Sequence, residues 1–349
     1  MTYRYLPIAT ALLFCTPLLL SLRGQAAPLG LVLPTANEAI FSTDQSRFYM
    51  YTDRNFEGRL SKPWQGGTYG FSRNQRRTSI GIVYTRFHEG IDIRPLRRDS
   101  QGRPLDKIRS IADGTVVYIN ADSTASNYGR YLVVHHDWGH GPFYSLYAHL
   151  YAAETTVGKR VKAGEIIAEM GYTGRGINRE RAHVHVELNF LMSDRFARWH
   201  NQHFTSPNHH GNYNGLNMYG IDIANLLKIH RANPMISIPE FLINHEEVHY
   251  RVTVPRTSIP PFLQRYPWLG RDMDRAKSAQ SWEFGFAATG VPLEIRPSAR
   301  AARAPYVSYI KPSATDHSYL TNGRITGTGS NGTLTAGGSR AIQLISDTF

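Results

Sequence analysis

FHEGIDI, residues 87–93, and HVHVE, residues 183–187, lie almost a hundred positions apart, and their joint reading decides the fold. In the first, His88 and Asp92 are four apart with Gly90 between them, inside an alternating apolar run that suits a strand edge better than a helix. In the second, His183 and His185 are two apart among valines, so a strand points both imidazoles to one side of its sheet. Nitrogen and oxygen donors of this kind, gathered from two strands, make a zinc site with one position open for water or substrate. YSLYAHL, residues 144–150, brings a further histidine, His149, at the end of a third strand-like run. Any one of these histidines alone reads as a satisfied core or edge residue. Three segments that each carry imidazole toward one cleft do not, because a buried imidazole without a polar partner costs stability.

Working outward, residues 108–188 are short apolar runs (IRSIA, TVVYIN, YLVVHHD, FYSLYAHL, EIIAEM, HVHVEL) separated by glycine turns. That organisation is all-β, with no room for crossover helices. His135 and His136 are adjacent and face opposite sides of their strand, while Arg130 reads as a hairpin residue. No nucleophile-elbow serine pattern competes for catalysis.

H-x-x-x-D at His88 and Asp92, Y-A-H-L at residues 147–150 and H-x-H at residues 183–185 resemble the lysostaphin-type (LytM-like) zinc metallopeptidases, which cleave peptide cross-links of bacterial peptidoglycan. The similarity extends over roughly residues 80–190 and includes the glycine-rich connections IADGTVVYI, NYGRYLVVHH and VGKRVKAGEIIAEMGYTG. It implies an all-β peptidase domain and one Zn2+ per chain held by His88, Asp92 and His185. It further implies that His149 and His183 act in catalysis beside the metal. Tyr172 departs from the small or amide side chain usual in the G-x-T-G turn, which bears on the groove rather than on the metal. Two other functions fit such a fold: a non-catalytic regulator of another wall hydrolase, and a wall-binding module. The regulators typically have a damaged metal site, whereas all five residues are retained here.

The chain opens as an export signal: Arg4, an apolar core from Pro7 to Leu20, and small residues at Gly24, Ala26 and Ala27. The expected product lacks residues 1–26, has no transmembrane segment, and acts in the periplasm or at the cell surface. Cys15, the one cysteine, leaves with the signal, so any metal ligands are nitrogen and oxygen only. The formal charge is +12; losing Arg4 and Arg23, with no acidic residue, leaves +10. Outside the cytoplasm such a surface meets anionic wall polymers and stem peptides. Nucleic acid is not an expected partner, since the basic residues are scattered and no recognition helix is visible.

Four regions follow: the signal at 1–26, a leading segment at 27–79 packed on the catalytic domain, the metallopeptidase domain at 80–232, and a β-rich accessory domain at 233–349. Trp64, Tyr69 and Phe71 in the leading segment are candidate cleft contacts. Residues 189–220, with His200, His203, His209 and His210, read as a solvated polar insertion facing the substrate, followed by a short helix at IDIANLLKIH. In the last region, alternating apolar residues near the end predict paired strands.

Overall fold

The structure, a computed structural model, describes residues 27–349; the expected export signal, with Cys15, lies outside the described residues. Its central sheet is antiparallel and built from β1 (Gly114–Asn120), β2 (Tyr131–Asp137), β3 (Pro142–Ala148) and β4 (Val184–Leu191) in that spatial order. On the far side of β4 two short strands lie end to end, Ile91–Ile93 beside His185 and Met218–Gly220 beside Asn189. A hairpin of Gly70–Thr78 and Gly81–His88 leads into this edge.

β4 explains why the sheet is stable. Val184, Val186, Leu188 and Phe190 are fully buried on one face, in a core that runs continuously from Leu29 to Ile345. Period-two alternation turns His183, His185, Glu187 and Asn189 to the other face. That polar face is not solvated: Glu187 and Asn189 are fully buried as well. A second apolar cluster of Tyr131, Val133, Leu146, Ala148, Leu191 and Met218 covers it, with Tyr118, Tyr128, Tyr144 and Tyr213 packed around.

The leading segment adds backbone to the strand that carries Asp92. Met50 donates its N–H to the Asp92 carbonyl at 2.8 Å, and Arg94 donates to that of Phe48 at 3.0 Å. The candidate cleft contacts Trp64, Tyr69 and Phe71 are half-buried and pack on neighbouring rings. Trp64 stacks on Tyr49 with centroids 5.7 Å apart, Tyr69 and Phe71 press on Phe87, and the Tyr69 hydroxyl donates to the Gly220 carbonyl.

Two sequence expectations change. The insertion contains helix α1 (Phe196–His203), and His200 and His210 are buried rather than solvated. His200 sits against Phe196 and Phe204, and His210 pairs with the Tyr118 hydroxyl at 2.9 Å. The expected helix near 221–230 is α2 (Ile223–Ala232), capped by Asp222. In the last region, four strands pair in the order 292–298, 281–286, 250–255, 306–310. Near the end, Ile325–Thr326 pairs with Thr333–Leu334 as expected, but the strands stop there and the chain continues as a helix, Ala336–Ser346. Gly338, Ile342 and Ile345 are its buried stripe at helical spacing, and Thr335 caps it by accepting the Gly338 N–H. This helix braces the insertion: the Trp199 indole donates to the Arg340 carbonyl, and Arg195 pairs with Asp347.

Candidate metal centre

His88 ends its strand, Asp92 lies on the short strand beside β4, and the pairing sets Asp92 opposite His185. Gly90 makes this approach possible, since a Cβ there would meet the Val186 carbonyl oxygen at 2.3 Å. The result is a compact triangle. His88 Nε2 and His185 Nδ1 are 3.1 Å apart, and Asp92 Oδ1 is 3.1 Å from the first and 2.9 Å from the second. Among the described residues this is the group of three potential ligands whose donor atoms lie within 4.8 Å of one another; the histidines of the insertion form no such group.

Hydrogen bonds on the far side of each ring fix which nitrogen carries a proton. A carbonyl or carboxylate only accepts, so His88 Nδ1–H donates to the Thr68 carbonyl at 2.8 Å. His185 Nε2–H likewise donates to Glu187 Oε1 at 2.7 Å. The inward atoms, Nε2 of His88 and Nδ1 of His185, are therefore both lone-pair donors, aimed at each other and at a carboxylate oxygen. Three convergent lone pairs want a cation. Tetrahedral zinc with ligands at about 2.0–2.1 Å has ligand atoms about 3.3 Å apart, close to the triangle found. The donors fit the metal in number, kind and spacing.

The electrostatics agree. Burial is the largest influence on His185 and alone would lower its pKa, but hydrogen bonds to Asp92 and Glu187 raise it to about 10. Without a metal, a proton therefore occupies the triangle. Burial pushes His88 down to about 4. Asp92 would be raised by its burial, yet His88, His183 and Arg73 hold it well below the usual carboxylate range. Glu187 is also opposed by burial and lowered by His185, Tyr128 and Asn189.

His149 and His183 flank the triangle. Their ring centroids are 4.7 Å apart, and His183 Nε2 is 3.5 Å from Asp92 Oδ1. Each donates through Nδ1, His149 to the Thr173 carbonyl at 2.8 Å and His183 to that of Arg181 at 2.6 Å, so each turns Nε2 inward. Burial, then the neighbouring His183 and His185, keep His149 neutral, well below the usual imidazole range. His149 has a left-handed backbone, φ +62°, at the corner between β3 and Leu150–Ala153. The G-x-T-G turn closes on it: a Cβ on Gly174 would lie 3.0 Å from His149 Nδ1 and 2.4 Å from the Asn127 carbonyl oxygen.

All five sequence-selected residues are thus brought together. His136, by contrast, lies on the core side with Ser145 and Asp113, and Arg130 binds backbone carbonyls of Ala121 and Tyr151. Sequence reasoning missed two groups that touch the triangle. Glu187 was legible as part of the strand alternation around H-x-H; Arg73 carried no local signal.

Residues 86–196 match the family model for Peptidase family M23. Over this stretch the chain is similar to the M23 peptidases. Among solved structures, the chain is similar to LytU, at 27% identity over 35% of this chain and 69% of that one, with a TM-score of 0.25. It is also similar to the catalytic domain of lysostaphin from Staphylococcus simulans, at 24% identity over 34% and 76%, TM-score 0.24. A zinc-containing peptidase from Vibrio cholerae gives 24% identity over 38% of this chain and 41% of that one, TM-score 0.24. No curated protein matches the chain. Among the described residues, no helix is long and apolar enough to cross a membrane.

Proposed function

We propose that this protein is a zinc-dependent endopeptidase that hydrolyses peptide cross-links of bacterial peptidoglycan, exported through residues 1–26. The convergence of lone pairs from His88, Asp92 and His185 carries the reading, because nothing but a cation, or the proton that stands in for it, satisfies that arrangement. These three residues would hold zinc, which supplies Lewis-acid polarisation of the scissile carbonyl and of the attacking water.

The remaining residues handle the proton and the charge. His149 is neutral and turns an unprotonated Nε2 inward, placed to accept the proton lost by water as the carbon–oxygen bond forms. The same nitrogen returns it to the departing amine, so the histidine ends as it began. His183, held by its Nδ1–H to the Arg181 carbonyl, is placed to stabilise the charge that grows on the carbonyl oxygen. Tyr128 and Asn189 fix Glu187, and Glu187 fixes the ring of His185.

The test is digestion of purified peptidoglycan with the zinc-loaded protein, followed by mass analysis of the released fragments. Cleaved stem-peptide cross-links, abolished by a chelator and restored by zinc, are the expected result. Intact cross-links after prolonged digestion by a folded, zinc-loaded protein would reject the function.

A further inference from the structure

Asp92 offers two oxygens, and the structure gives them different partners. Oδ1 faces His88, His183 and His185. Oδ2 accepts from Arg73 Nη2 at 2.5 Å. Arg73 is itself held, because its Nε donates to the Gly66 carbonyl at 2.7 Å, so the planar guanidinium bridges a backbone oxygen and the carboxylate. This arginine lies on Gly70–Thr78, upstream of the stretch matched by the family model, and reaches the triangle only because the hairpin runs into the Asp92 edge.

We propose that Arg73 is a positioning residue of the metal centre: it takes one oxygen of Asp92, leaves a single oxygen for the metal, and thereby keeps a position open for the peptide carbonyl or water. This rests on the zinc reading above. A carboxylate freed from Arg73 turns both oxygens inward and occupies that position itself. The fork is essential, since one rigid group must satisfy Gly66 and Asp92 together. A lysine keeps the charge but not the bridge.

Cobalt is the probe, because its visible absorption is intense at four-coordinate sites and weak at five- or six-coordinate ones. Full-length protein, Arg73→Ala and Arg73→Lys are loaded with Co2+ and compared by spectrum, chelator competition, thermal unfolding and steady-state cleavage. The expected result is an intense spectrum for the parent, and a several-fold weaker one for both variants. kcat falls about 10- to 100-fold, the range typical of groups that hold a ligand, while KM stays within about twofold. A merely structural arginine would lower the unfolding temperature and leave the spectrum unchanged; a folded variant with the parent's spectrum and metal affinity overturns the proposal. Full recovery in Arg73→Lys also overturns it, by showing that charge alone suffices. A folded parent that takes up no cobalt or zinc rejects the metal reading and, with it, this one.

Discussion

Glu187 provides the most direct measure of how strongly the surroundings of the triangle set its metal affinity. Its carboxylate is fully buried and makes three hydrogen bonds: Oε1 accepts from His185 Nε2 and from the Tyr128 hydroxyl, both at 2.7 Å, and Oε2 accepts from Asn189 at 2.9 Å. Glu187→Ala removes the acceptor for two buried donors beside the metal. Asn189 keeps the Tyr144 carbonyl at 3.4 Å, so two donors are orphaned, and at about 1–3 kcal/mol for each the metal-free variant loses roughly 2–6 kcal/mol of stability. The ring of His185 is then free to turn, and zinc affinity falls about 10- to 100-fold. Glu187→Gln separates charge from geometry. Its amide oxygen still accepts from His185, and its amide NH2 meets Asn189, whose Oδ1 has no partner among the described residues and turns to receive it. That variant keeps the ring in place and loses only the charge-assisted part of the bond, so its zinc affinity falls less, by about fivefold. The assay is competition with a chromophoric zinc chelator on purified protein, beside circular dichroism to establish folding. A folded Glu187→Ala protein that holds zinc as tightly as the parent would refute the argument.

Two further perturbations test other parts of the structure. His185→Ala removes one of three metal donors, so zinc content and wall-peptide release fall together, whereas His149→Ala keeps near-stoichiometric zinc and loses most turnover; equal loss of zinc in both, by elemental analysis, would overturn the division of roles. Glu246 is raised to about 7 by burial, with Asp222 and Glu247 adding to it. A carboxyl raised on folding contributes stability that is complete below its unfolded value near 4.5 and is lost as the pH rises through 7. Glu246→Gln should therefore match the parent near pH 4 and exceed it by on the order of 1–3 kcal/mol at pH 8, in urea unfolding; the same difference at both pH values would refute the assignment.

The parts of the fold that sequence made legible are those where a local period carries the signal. HVHVELNFL alternates cleanly, and β4 places its apolar and polar residues on the two faces that the alternation requires. The helix placed at IDIANLLKIH is found at Ile223–Ala232, where the structure adds Asp222 as its cap. The terminal helix misled because AIQLI, residues 341–345, fits alternation over a few residues, while the helical stripe needs Gly338, a poor helix former, to be counted with Ile342 and Ile345. The insertion misled for another reason. Histidine, asparagine and glycine are read as solvated, but His210 finds the hydroxyl of Tyr118 on a distant strand, which no local pattern contains, and His200 is covered by Phe196 and Phe204 of the insertion itself.

The site divides along the same line. His88, Asp92, His149, His183 and His185 lie in short motifs whose spacing fixes their geometry once strands are assumed. Arg73 does not: it sits beside Arg76 and Arg77 in a run of like side chains, and what distinguishes it is a 2.5 Å contact across nineteen positions. Its neighbours stay outside, with Arg77 paired to Glu57 at the surface and Arg76 to the Tyr319 hydroxyl. One arginine of the run is turned inward because strand alternation and a bulge between Phe71 and Arg73 aim it at Asp92. A bulge is a register event between two strands, so it leaves no trace in either strand alone. Arg73 was therefore hidden for a physical reason: the ligands, and Glu187 with them, are specified by spacing along the chain, whereas Arg73 is specified by pairing across it.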